Sequence, residues 1–187
     1  MNRVGAKHWG WITGIAIVMA STLLWLGRTP ICACGYVKLW HGEVMSSENS
    51  QHLLDWYTPS HVLHGLAFYL GLRYLLPHLP VGWRLVIAGI IEAGWEVVEN
   101  TSWIIDRYRG ETAALDYFGD SVINSIFDIL AMLVGFWFAA RAPVWLSVAV
   151  VIVLEAIVAA FVRDNLTLNI IMLIYPLDAI RDWQAGG

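Results

Sequence analysis

The sequence predicts an all-α protein: a polytopic transmembrane helical bundle of about five spans plus a short C-terminal interfacial or re-entrant helix, with no β-sheet. Its 187 residues are 58% hydrophobic and 14% charged, and the mean hydropathy is +0.61. A soluble domain usually contains about 25% charged residues. The apolar residues fall into runs of helix length, and helices satisfy their own backbone polar groups in lipid. We therefore expect residues 1–187 to form a single integral membrane domain.

The predicted spans follow from apolar runs close to the roughly 20 residues that cross a bilayer. They cover about residues 9–26, 60–76, 83–105, 120–140 and 144–162. Pro77 and Pro143 mark turns after the second and fourth runs. A last apolar piece at 168–174 is too short to cross and predicts the C-terminal helix.

Two polar segments, residues 28–59 and 106–119, are expected on the same side of the membrane, because successive spans run in opposite directions. Arg3 and Lys7 precede the first span, and basic residues at that place favour a cytoplasmic N-terminus. The two polar segments would then lie on the periplasmic side.

Cys32 and Cys34 are the two cysteines of the chain. Their separation by one residue argues against an unstrained disulfide, and two thiols cannot complete a four-ligand zinc site. We expect neither of these features.

Ionisable and amide residues recur at helical spacing in three of the predicted spans, where membrane helices normally carry few. The stripes are His61 and His64 in the second span, Glu92, Glu96, Glu99 and Asn100 in the third, and Asp120, Asn124 and Asp128 in the fourth. Spacings of three and four residues place side chains on one face of a helix. Because neighbouring spans alternate in direction, the stripes should meet at one end of the bundle.

Imidazoles facing carboxylates suit a divalent metal such as Zn, Mn or Fe, or a general acid–base pair. The predicted site has His61 and His64 as metal ligands or general bases, and Glu96, Glu99, Asp120 and Asn124 as a catalytic set. Two alternatives stay open. The stripes can be hydrogen-bonded networks that hold helices together, or they can form a proton or ion path.

Two arginines in the polar loop, Arg107 and Arg109, are predicted to bind a substrate phosphate, because guanidinium groups bind phosphates well. Membrane lipids are the expected partners. Nucleic acid is excluded because the net charge of −4 is small, negative and spread along the chain. A separate carboxylate, Glu155 in the fifth span, is expected to be protonated or to pair with a donor such as Arg73.

Six runs of sequence, at residues 27–32, 36–42, 47–52, 55–61, 116–125 and 163–169, closely resemble an uncharacterised family of small bacterial inner-membrane proteins known as a domain of unknown function. The resemblance covers nearly everything after the first span. It implies a multi-pass protein of the bacterial inner membrane and supplies no activity.

A second, remote resemblance is to VanZ-like membrane proteins, which are associated with glycopeptide resistance. His64, Tyr69, Glu96, Asp120 and Asn124 fill places of that pattern. The spacing from His64 to Tyr69 departs from it by about one residue, and the glycine expected after the Asn is missing. This resemblance implies a protective or accessory membrane protein. The stripes themselves favour a membrane-embedded enzyme or lipid-handling protein that acts near the periplasmic face on a lipid or lipid-linked substrate.

Overall fold

A computed structural model describes residues 4–111 and 116–186 and is mostly helical over those ranges. Its helices are α1 (Ala6–Trp25), α2 (Thr58–Leu75), α3 (Val81–Glu99), α4 (Ser102–Glu111), α5 (Val122–Arg141), α6 (Val144–Val162), α7 (Leu166–Ile174) and α8 (Asp178–Gln184). The helical fold class is confirmed. Arg3 and part of the predicted loop 106–119 lie outside the described residues.

Among the described helices, α1, α5 and α6 are long and apolar enough to cross a membrane. Helices α2 and α3 have 18 and 19 residues, which is long enough, but they are not apolar enough to be counted with those three. The count of five spans therefore stays a prediction. Helix α7 has nine residues and is about 14 Å long at 1.5 Å per residue, which confirms a short C-terminal helix.

Two short strands correct the prediction that the chain has no β-sheet. Strands β1 (Trp40–His41) and β2 (Leu54–Asp55) pair in parallel, with Trp40 opposite Leu54 and His41 opposite Asp55. Both strands belong to the polar segment 28–59, and the chain that joins them folds back so that they lie side by side. Pairs of two residues are too short to produce an alternating pattern that sequence reasoning can detect.

The cysteine prediction was wrong: Cys32 and Cys34 are joined by a disulfide within the same polar segment. The backbone turns at this point, with the Gly35 N–H donating to the Cys32 carbonyl. Sequence spacing alone did not reveal that this turn brings the two sulfur atoms together.

The third predicted span is shorter than expected and ends at Glu99. Asn100 follows it with its side-chain amide donating to the Glu96 carbonyl at 3.0 Å, and the chain then restarts as α4. Residues 102–111, part of which was predicted as loop, are therefore helical.

Helices α2 and α5 form the centre of the bundle and approach through two glycines. A Cβ added to Gly65 on α2 would overlap the main-chain carbonyl of Met132, and one added to Gly135 on α5 would overlap that of Val62. Small residues permit this close approach of helix backbones. The contact fixes the position of the α2 histidines relative to α5.

Helix α6 lies at the edge of the bundle, and along its whole length buries Ser147 and Val158 alone. Its Glu155 was expected to be protonated or to pair with a donor such as Arg73. Instead, its two carboxylate oxygens accept the N–H groups of Leu166 and Thr167, each at 3.1 Å. These are free N–H groups in the first turn of α7, so Glu155 caps that helix.

Candidate metal centre

Two histidines of α2 meet one glutamate of α3 in the interior of the bundle. His61 Nδ1 lies 2.7 Å from Oε1 of Glu92, and His64 Nδ1 lies 3.0 Å from Oε2. The histidines share a face because they are three residues apart. The three side chains each offer a ligand atom, and these atoms lie within 4.8 Å of one another. We call His61, His64 and Glu92 the histidine set.

His61 also faces two further carboxylates from α3 and α5. Its Nδ1 is 3.4 Å from Oε1 of Glu96, and its Nε2 is 3.7 Å from Oδ1 of Asp128. A neutral imidazole has one N–H group and cannot satisfy three carboxylates. This negative charge must be offset by protons or by a cation.

A second group of ligand atoms comes entirely from carboxylates. Glu96, Glu99 and Asp120 each offer an oxygen, and these oxygens also lie within 4.8 Å of one another. We call these residues the carboxylate set. Glu96 is fully buried, and neither of its carboxylate oxygens has a hydrogen-bond partner within the described part of the chain. A buried carboxylate that accepts no hydrogen bond is costly, so Glu96 is suited to accept a ligand.

Asp120 is held in place just before α5. The Tyr117 hydroxyl donates to Oδ1 at 3.0 Å, and the Asn100 amide donates to Oδ2 at 2.6 Å. These two hydrogen bonds orient the carboxyl group before any ligand binds. Burial raises the pKa of Asp120 to about 6, although the hydrogen bonds act in the opposite direction.

Asn124 fixes the polar segment 28–59 to the first turn of α5. Its Nδ2 donates to the carbonyl of His52 at 2.8 Å, and the neighbouring Ser121 hydroxyl donates to the carbonyl of Gln51 at 3.0 Å. Its expected role in orienting the acids is not tested by these contacts.

A cavity of about 200 Å³ gives access to this centre. Its lining includes polar side chains, among them Asp55, His61, His64, Asp120 and Asp128. Three apolar side chains of α7, Leu166, Ile170 and Leu173, also line it. The cavity thus offers both polar and apolar contacts.

A carboxyl group that belongs to neither set contacts two of the side chains that line the cavity. Asp164 accepts hydrogen bonds from the Tyr57 hydroxyl at 3.2 Å and from the Asn169 amide at 2.9 Å, and both donors line the cavity. Burial raises the pKa of Asp164 to about 6. Burial also raises the pKa of the neighbouring Asp55 carboxyl group.

The two predicted phosphate-binding arginines do not line this cavity. Arg107 Nε donates to the carbonyl of Leu173 at 2.8 Å, and the Arg109 guanidinium lies over the Phe118 ring at 4.7 Å. Arg107 thereby joins α4 to the end of α7 and lies behind the cavity wall.

The donor atoms of both sets fit metal ions. Two imidazoles and a carboxylate suit Zn, Mn or Fe, whereas three carboxylates suit harder ions such as Mg or Mn. In the described part of the chain, the carboxylates of Glu92, Glu96 and Asp128 form ion pairs with histidines and with no lysine or arginine.

Residues 23–186 match the family model described as "Protein of unknown function (DUF2585)". This chain belongs to the DUF2585 family. It is 60% identical over 177 residues to a UPF0314 protein of Paracoccus denitrificans, covering 94% of this chain and 92% of that protein. It is 54% identical over 187 residues to one of Rhizobium etli, covering 98% of this chain and 95% of that protein.

The family match confirms the resemblance to an uncharacterised bacterial family and names no activity. These comparisons do not show the resemblance to VanZ-like proteins. No solved structure matches the DUF2585 chain.

Several residues of this DUF2585 site were absent from the predicted one. Glu92 and Asp128 belonged to the predicted stripes, and their helical spacing was the signal that pointed to them. Asp55, Tyr57 and Tyr117 lie outside the long helices, and no periodic pattern indicated that they line the cavity.

Proposed function

We propose that this chain is a multi-pass protein of the bacterial inner membrane, and a metal-dependent enzyme or lipid-handling protein. Its substrate would be a lipid or lipid-linked compound that enters at the periplasmic face. The observation that carries the proposal is the convergence of His61 and His64 on the fully buried Glu92, beside a cavity.

The roles of the residues follow from their contacts. His61, His64 and Glu92 would hold a divalent cation such as Zn²⁺ or Mn²⁺. Such a cation supplies Lewis-acid chemistry towards a phosphoryl or carbonyl oxygen. Tyr117 and Asn100 orient Asp120, which makes that carboxyl group available to accept a proton or a polar group of the substrate.

The mixed lining of the cavity supports an amphiphilic substrate. An acyl or polyprenyl chain would contact Leu166, Ile170 and Leu173, while the headgroup would contact the polar side chains. Asn124 keeps the polar segment in place through the His52 carbonyl. Arg107 or Arg109 would meet a substrate phosphate after a local movement of α4, because neither lines the cavity in the present conformation.

The decisive experiment is elemental analysis of the full chain purified in detergent without chelators. We expect a stoichiometric divalent metal that is lost in His61→Ala and in His64→Ala. His78→Ala is the matched control, because His78 is exposed in the turn after α2. Absence of metal from the wild-type protein, or an undiminished metal content in both cavity variants, contradicts the proposal.

A lipidome comparison tests the substrate class. A deletion strain should accumulate or lack a lipid, and the wild-type gene and His78→Ala should restore the normal pattern while His61→Ala should not. Unchanged lipids in the deletion strain would contradict a role in lipid chemistry.

A non-catalytic accessory role is the second candidate. It is favoured because polar side chains near the site already make hydrogen bonds within the protein: the Asn100 amide donates to Asp120, and the Asn124 amide donates to the His52 carbonyl. In membrane proteins such bonds contribute on average about 0.6 kcal/mol each. Under this role, His61→Ala would lower function and thermal stability together, whereas loss of function at unchanged stability supports the enzyme.

A further inference from the structure

We infer that the centre binds a second cation, held by Glu96, Glu99 and Asp120, and that the proposed metal site is therefore dinuclear. The inference rests on the proposed function and deepens it. The first cation belongs to the histidine set and the second to the carboxylate set, and the two sets share no residue.

Glu96 provides the first argument, because neither of its protonation states is satisfied by the protein. Its carboxyl group is fully buried, and both oxygens have no hydrogen-bond partner among the described residues. As a carboxylate its near donor is His61 Nδ1, 3.4 Å from Oε1, and that nitrogen already lies 2.7 Å from Glu92. As a neutral acid it would need an acceptor for its O–H group. A cation satisfies the carboxylate directly.

The balance of charge provides the second argument. Five carboxylates lie in the two sets and beside them: Glu92, Glu96, Glu99, Asp120 and Asp128. Within the described chain, the cavity has no lysine or arginine in its wall. With neutral histidines, one divalent cation would leave three negative charges unbalanced in a buried site. A second cation reduces that excess to one, which a proton on Asp128, a member of neither set, can offset.

Proximity of the two sets provides the third argument. Glu96 Oε1 lies 3.4 Å from His61 Nδ1, and Asp128 lies on the other side of the same imidazole. His61, Glu96 and Asp128 themselves offer ligand atoms within 4.8 Å of one another. The two cations would therefore be neighbours, as in two-metal enzymes that transfer or hydrolyse phosphoryl groups. This favours a phosphate ester or diphosphate as the reacting group of the substrate.

Mn²⁺ is a suitable probe because both donor sets accept it and because it is paramagnetic. The full chain, stripped with chelator and reloaded in detergent, should bind about two Mn²⁺ ions. Its electron paramagnetic resonance spectrum should show magnetic coupling between them. Glu99→Gln and Asp120→Asn should each retain the ion of the histidine set and lose the coupling. Asp106→Asn, at an exposed position of α4, is the matched control and should keep both ions.

The outcomes separate this inference from the proposed function. A single uncoupled Mn²⁺ that depends on His64 and persists in Glu99→Gln overturns the second site and leaves the first intact. Absence of any bound Mn²⁺ overturns both. Thermal unfolding of each variant in detergent shows whether it is folded. If Asp120→Asn does not fold, Glu99→Gln alone tests the second cation site.

Discussion

Asn100 and Asp120 form a reciprocal pair that joins the end of α3 to the start of α5. The Asp120 N–H donates to Asn100 Oδ1 at 2.7 Å, and Asn100 Nδ2 donates to Asp120 Oδ2 at 2.6 Å. The pair ends the third helix and presents a carboxylate to the candidate metal centre. It is the clearest case of one contact that serves both the fold and the site.

Asn100→Ala should therefore destabilise the protein. The substitution leaves the buried N–H of Asp120 unpaired and removes a donor to its carboxylate, a change that typically costs about 1–3 kcal/mol. Denaturant or thermal unfolding in detergent measures this. Thr101→Ala is the neighbouring control, and we expect a change within about 0.5 kcal/mol. Equal stability of Asn100→Ala and the wild type would show that the pair does not hold the helices.

Glu96→Gln distinguishes a metal ligand from a structural residue. Because the carboxylate is buried and accepts no hydrogen bond from the described residues, its neutral amide should make the metal-free protein more stable, while metal affinity falls. Unfolding temperatures of chelated and metal-loaded samples provide the measurement. A lower stability of the chelated variant would instead indicate that Glu96 makes structural hydrogen bonds.

Gly65→Ala should weaken the packing of α2 against α5. The new methyl group would overlap the Met132 carbonyl and force the helices apart, at a cost of about 1–3 kcal/mol. Gly71→Ala is a matched control on the same helix, because a Cβ there meets nothing within 4 Å. The control should be neutral or slightly stabilising, since alanine favours helices over glycine by about 1 kcal/mol. Similar behaviour of the two variants would contradict the close approach.

The free energy of unfolding should fall as the pH rises from about 4 through about 6, because of the Asp164 carboxyl group. Burial raises the pKa of its carboxyl group from near 3.9 in the unfolded chain to about 6 in the folded one. The folded state therefore holds the proton more tightly than the unfolded state. Stability from this group is fully present below about pH 4 and is lost towards pH 7, by up to about 3 kcal/mol.

Asp164→Asn should reduce that dependence on pH. Unfolding temperatures measured between pH 4 and pH 8 provide the comparison, and Asp106→Asn is a control with an exposed carboxylate. An unchanged pH profile in Asp164→Asn would assign the dependence to other groups.

The sequence by itself determined the existence of the long helices and the charged residues that they contain. Helix α6 has the predicted bounds, and α2 and α5 begin within two residues of theirs, because apolar length and proline positions are local properties. The spacing of Glu92, Glu96 and Glu99 placed them on one face for the same reason.

Only the tertiary structure decided which of these residues meet. The pairing of His61 and His64 with Glu92 depends on how each helix is rotated and on the close α2–α5 approach. Likewise, α7 lies against Glu155 and Arg107 through backbone groups, which have the same hydrogen-bonding chemistry at almost every residue. Contacts between distant backbone groups leave no pattern in the sequence, because their identity is set by the path of the chain and not by side-chain type.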